Sequence, residues 1–126
     1  MKVINYTNIK AVERILRILA TGVDTADLVV YITFPNIEEE KFNGLFIDDK
    51  PPTIKIFMRK NNNVYYKPAK RLIAIRNYCQ FIAYIFLHEF YHYAARLKNF
   101  RYANEREENL ADQYAYDTLK KAGLTL

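Results

Sequence analysis

From Tyr78 to Leu97 the chain contains neither glycine nor proline, a stretch that predicts one helix of about twenty residues. Asn77, followed by Gln80 three residues on, gives it a capping pair. Its first half, which includes Phe81-Ile82-Ala83-Tyr84-Ile85-Phe86-Leu87, is apolar on every side. Such a helix belongs at the centre of a domain, since no face of it suits water. With 126 residues in all, the rest of the chain must supply the cover.

Composition agrees with that picture. Hydrophobic residues make up 51% of the chain and charged ones 26%, with only 3 Gly and 4 Pro, so the expectation is a single globular domain over residues 1–126. The longest apolar run, Phe81 to Leu87, falls far short of the roughly 20 residues that cross a bilayer, so no membrane partner is expected. Asn5, Thr7 and Asn8 interrupt the N-terminal residues before any apolar stretch develops, so no signal peptide is visible and the expectation is a cytoplasmic protein. Cys79 is the sole cysteine; it cannot form an internal disulfide and reads as a small buried side chain.

Lysine and arginine outnumber aspartate and glutamate 19 to 14, for a net charge of +5. The excess is scattered along the sequence rather than clustered, which disfavours a nucleic-acid partner. The 11 Tyr and 8 Phe read as core material for a small protein rather than as a base-stacking surface.

Around the central helix the pattern is α+β. Ile9, Val12, Ile15, Leu16 and Leu19 recur at helical spacing between Asn8, which can cap, and Ala20. Leu28 to Phe34 is a β-branched and aromatic run stopped by Pro35. Gly44 to Ile47 is a short strand closed by Asp48-Asp49-Lys50-Pro51-Pro52. Thr53 to Met58 alternates, with Ile54, Ile56 and Met58 on one face and Lys55 and Phe57 on the other. Residues 64–76 fit strand and helix equally and are left open. Asn104 with Glu107 has cap-plus-acid spacing for a helix from Glu105 to about Lys121, which Gly123 can end.

Inside the central helix stands His88-Glu89-Phe90-Tyr91-His92, and these are the only 2 histidines of the chain. Helical residues four apart lie about 40 degrees apart and one turn up, so both imidazoles can reach one tetrahedral metal ion. Glu89 beside them can take the proton of a water held there. Without a metal, two imidazoles and a carboxylate on a buried helix would each need a partner. A catalytic zinc site needs a third protein ligand and an open position. With no third histidine, that ligand should be a carboxylate brought back by the next helix. Glu108 and Asp112, four apart, share a face there. Glu107 is the competing ligand, but its spacing from Asn104 assigns it to the cap; Glu105 sits at the exposed helix start. An ordinary solvated acidic stripe is the plain alternative for Glu108 and Asp112.

An H-E-x-x-H helix followed by a helix bearing E-x-x-A-D, here Glu108 to Asp112, resembles the gluzincin metallopeptidases, the zincin clan to which thermolysin belongs. The small size resembles the minimal single-domain members. The resemblance covers Tyr78 to Tyr116 and implies that His88, His92 and Glu108 hold Zn2+ and that Glu89 is the general base and acid. It implies further that Asp112 accepts a hydrogen bond from a ligand imidazole, that of His88. The implied fold is zincin-like: an N-terminal backing helix, a small mixed twisted sheet, a zinc-binding helix and a C-terminal glutamate helix. The larger relatives add a His or Tyr to stabilise the oxyanion. This chain has no spare histidine, which leaves Tyr102, between the two ligand helices, as the candidate.

The expected function is therefore a zinc-dependent peptidase acting on a peptide or protein laid along Leu45 to Ile47. A narrower reading is a regulatory peptidase cutting one repressor-like partner. A reading of a different class is a non-catalytic, zinc-stabilised binding module, against which the intact Glu89 argues. The apolar tail Leu124 to Leu126 could dock on its own domain or on a second copy, so a homo-oligomer stays open.

Overall fold

The computed structural model describes residues 1–58, 78–97 and 105–123, together with the backbone of residues 65–66, 73–74 and 104. The chain folds as β1 (Lys2–Asn5), α1 (Val12–Leu19), β2 (Val29–Thr33), β3 (Gly44–Ile47), β4 (Thr53–Phe57), β5 (Tyr65–Tyr66), β6 (Ile73–Ala74), α2 (Tyr78–Leu97) and α3 (Asn104–Lys121). This is a small α+β structure whose mixed sheet runs in the order β1-β2-β4-β3. The first three of these strands are parallel, and β3 lies antiparallel on the edge. Strands β5 and β6 form a separate antiparallel pair within the segment whose pattern was ambiguous. No helix among the described residues is long and apolar enough to cross a membrane.

The centre of the core is α2. Every residue from Phe81 to Phe90 is buried, and the helix packs against α3, β3, β4 and α1. Val30, Ile32, Ile54 and Ile56 project from one sheet face into the same cluster, joined by Val12 and Leu16 of α1. Alternation along β2 and β4 puts these side chains on one face by strand geometry alone. Phe57 is also buried, so both faces of β4 are covered at its end, where alternation predicts an open side. Cys79 is only half-buried, not enclosed as the composition suggests.

Two local details differ from the sequence pattern. Helix α1 starts at Val12, not near Asn8, and Ala11 precedes it in the left-handed region at φ 67°. The intervening residues are held in a turn by their own side chains. Asn5 Oδ1 accepts from the Thr7 N–H at 2.9 Å, Asn5 Nδ2 donates to the Ile9 carbonyl at 2.9 Å, and Thr7 Oγ1 accepts from the Ile9 N–H at 3.2 Å. Such side-chain bonds compete with helix formation. The second detail is β1, a strand that only long-range pairing with β2 reveals. The helix-start role expected of Asn77 and the docking of Leu124 to Leu126 lie outside the described residues.

Three contacts set β3 against α2. Arg96 Nε donates to Asp48 Oδ1 at 2.7 Å, the Phe46 ring leans on Tyr93 with centroids 6.2 Å apart, and Gly44 lets the backbone approach. A Cβ at Gly44 would collide with Ile85 Cγ2 and stand 3.2 Å from the Lys55 carbonyl and 3.3 Å from Glu89 Cγ. The Tyr93 hydroxyl donates to Asp27 Oδ1 at 2.6 Å, tying α2 to the loop before β2 as well.

Candidate metal centre

Residues 84, 88, 92 and 96 recur every four along α2 and form one stripe on the helix. On α3, Ala111, Ala115 and Leu119 are buried against it at 0%, 0% and 1% exposure. The two alanines let the helices approach closely, and Glu108 and Asp112 belong to the same face of α3. Helical periodicity on both partners therefore delivers imidazoles and carboxylates to one place.

His88 and Glu89 are the buried polar residues of the described chain. Burial without partners would be costly, and the partners are in place. His88 Nδ1 lies 2.7 Å from Asp112 Oδ1, and its Nε2 lies 2.8 Å from Glu108 Oε2. His92 Nε2 lies 3.0 Å from Glu108 Oε1. The Glu108 carboxylate thus straddles the two Nε2 atoms, one oxygen to each. One potential ligand atom from each of His88, Glu89 and His92 falls within 4.8 Å of the others, a His–Glu–His group able to hold a metal ion.

Electrostatics match the geometry. Burial pulls the His88 pKa down, but the hydrogen bonds to Asp112 and Glu108 and the charge of Glu89 outweigh it and push it up to about 10. In that state Nδ1–H donates to Asp112 and Nε2–H donates to Glu108. His92 shifts upward too, burial being outweighed by Glu108 and Glu89. The hydrogen bonds from His88 and His92 hold the Glu108 carboxyl well below the usual carboxylate range. Glu89 moves the other way: burial raises it, against the lowering by both imidazoles and by a hydrogen bond from the Phe46 N–H. The carboxylates draw positive charge into the space between the Nε2 atoms, as a divalent cation would supply it.

Beside this group a cleft of about 480 Å³ opens between β3 and the start of α3, lined by Phe42, Gly44, Leu45, Phe46, Asp48, Glu89, His92, Glu107 and Glu108. The Phe57 N–H donates to the Asn43 carbonyl at 3.0 Å, which sets the phase of the β3–β4 ladder. By antiparallel alternation, the backbone groups of Gly44 and Phe46 then face away from β4.

Glu107, given a capping place by its spacing from Asn104, also reaches His92. Its Oε1 lies 3.4 Å from His92 Nδ1 and its side chain is only 17% exposed, so it faces His92 from the side that Asp112 takes on His88. Glu108, rather than Glu107, reaches the two Nε2 atoms. Tyr102 lies outside the described residues. Sequence reasoning missed Tyr84, whose buried hydroxyl donates to Asp112 Oδ1 at 2.9 Å; its place four residues before His88 was the available signal. It also missed Gly44 and the Phe46 N–H, for which only the three-dimensional approach of β3 to α2 gives a reason.

The chain matches no model of a known protein family, no curated protein and no solved structure. Its chemistry has to be argued from this geometry.

Proposed function

We propose that the chain is a zinc-dependent metallopeptidase of gluzincin type on a zincin-like fold. The observation that carries this reading is the Glu108 carboxylate set between the Nε2 atoms of His88 and His92, at 2.8 and 3.0 Å. Two imidazoles and one carboxylate form a donor set that suits zinc and leaves a coordination position open. His88, His92 and Glu108 would hold the ion. A zinc ion held there would supply a water of lowered pKa, roughly 7, and a Lewis acid for a carbonyl oxygen.

The remaining chemistry belongs to the chain. Glu89, buried and with its pKa raised above the ordinary carboxyl value, accepts a proton from the attacking water and passes it to the leaving amine nitrogen. The Phe46 N–H holds the Glu89 carboxylate at the cleft wall. An extended peptide adds to β3, the edge strand of the sheet among the described residues, using the outward backbone groups of Gly44 and the Phe46 carbonyl, with side chains against Phe42 and Leu45. Asp112 orients His88 from behind. A closed structural zinc site has no use for an acid beside an open cleft, which disfavours the binding-module reading.

The test pairs two variants. Glu89→Gln should keep stoichiometric zinc and lose hydrolysis of a mixed peptide library, whereas His92→Ala should lose the metal. Undiminished hydrolysis by pure Glu89→Gln protein, or purified protein that takes up no zinc, would refute the proposal.

A further inference from the structure

Tyr84 stands one turn before His88 on α2 and is 0% exposed. A phenol taken out of water requires a partner for its hydroxyl, and Tyr84 donates to Asp112 Oδ1 at 2.9 Å. That same oxygen lies 2.7 Å from His88 Nδ1. Two donors from successive turns of α2 therefore converge on one carboxylate oxygen of α3. We infer that Tyr84 is a positioning residue of the metal centre, acting through Asp112 on His88. This rests on the reading of His88 as a metal ligand.

The argument is one of restraint. A carboxylate held by a single donor can rotate about its terminal torsion, which is broad and nearly two-fold, and the ring it holds would follow. A second donor on the same oxygen, fixed on the same helix as the imidazole, removes that freedom. Asp112 Oδ1 then stays at one place relative to α2, and the His88 ring keeps Nε2 aimed into the site. Outer partners of this kind set ligand orientation and hence metal affinity. Tyr84 touches neither metal nor substrate in this arrangement, so its contribution to the metal passes through Asp112.

That dependence supplies the experiment. Tyr84→Phe keeps the buried ring and removes the hydroxyl. Zn2+ dissociation constants, measured by competition with a chromophoric chelator, are compared for the wild type, Tyr84→Phe, Asp112→Ala and the double variant, with Co2+ absorption spectra of each and thermal unfolding in chelator as a control for folding. Asp112→Ala should weaken zinc by about 10- to 100-fold, and Tyr84→Phe by a smaller factor of roughly 3 to 10. In the Asp112→Ala background Tyr84→Phe should change nothing, which loss of packing alone would not produce. Equal affinity of Tyr84→Phe and wild type, or equal weakening in both backgrounds, overturns the inference while leaving the metal centre standing. A wild type that binds no zinc, or a His88→Ala variant that binds as tightly as wild type, overturns the metal reading and this inference with it. Should Asp112→Ala fail to fold, the Co2+ spectrum of Tyr84→Phe decides: a shifted ligand-field band supports the role, and an unshifted one overturns it.

Discussion

Loading zinc into this site at pH 7.5 has to expel protons, and their number can be worked out from the surroundings of the imidazoles. An ordinary histidine has a pKa near 6.5, so two of them would together carry only about 0.2 proton at that pH. His88 is different, because both of its ring nitrogens face carboxylates, at 2.7 and 2.8 Å. With its pKa pushed up to about 10, it alone carries about one proton at pH 7.5. His92 is raised as well and adds up to one more. The imidazoles should therefore release between about one and two protons per zinc, against about 0.2 from an unperturbed pair. Each imidazole still protonated makes the apparent affinity climb about tenfold per pH unit. For His88 the competition at pH 7.5 corresponds to about 3 kcal/mol of binding free energy.

Calorimetric titration of zinc into chelator-stripped protein, repeated at one pH in buffers of different ionisation enthalpy, gives the proton number directly. A water ionising at the loaded site would add to the count, and Asp112→Asn separates the two sources. That variant removes the charge that raises His88 and leaves only a neutral amide oxygen as acceptor, so the imidazole share falls while the water share stays. Release of less than about half a proton by the wild type, or an identical count in Asp112→Asn, would refute the reasoning.

Metal-free protein should be most stable between about pH 4.5 and 6.5. The raised His88 contributes fully below its ordinary 6.5 and loses its contribution as pH rises through about 10, while the lowered Glu108 contributes above its ordinary 4.5 and loses it in acid; chemical denaturation in chelator across pH would show the maximum, and a flat profile would contradict it. Gly44→Ala should force β3 away from Ile85 and Glu89, and a displacement near 1 Å at the cleft wall lowers kcat/KM by roughly 100-fold while zinc content stays at wild-type level. Glu108→Ala should lose zinc on dialysis, whereas Glu107→Ala, which removes only the group near His92 Nδ1, should weaken binding by about 10-fold and keep the metal at saturating zinc.

Helix α2 and the His–Glu–His group were legible in the sequence because both depend on periodicity within one continuous segment. The run from Tyr78 to Leu97 has no breaker, and the structure places α2 at those limits. The same logic extends to α3, where Ala111, Ala115 and Leu119 mark the buried stripe and Glu108 and Asp112 ride at its border. Strands β2, β3 and β4 were found from β-branched runs and proline stops. What local patterning could not supply was β1, since Lys2–Asn5 is defined by pairing with Val29–Ile32, and the start of α1, which the Asn5–Thr7–Ile9 bonds delay.

The second role of Glu107, beside His92, stays hidden for a related reason. Cap spacing is a local signal, and Asn104 with Glu107 satisfies it, but the side chain of a first-turn residue can also turn toward a neighbouring helix. Which way it turns depends on what that helix presents, and here His92 stands within 3.4 Å. Gly44 makes the same point from the strand side: in the sequence it is one of 3 glycines, but among the described residues a Cβ would meet a neighbour at this one and not at Gly22 or Gly123. A residue whose value lies in what it leaves room for has no periodic signature. The elements that carry the site could thus be read along the chain, while the residues that aim it, Tyr84, Phe46 and Gly44, emerge only where α2 meets α3 and β3.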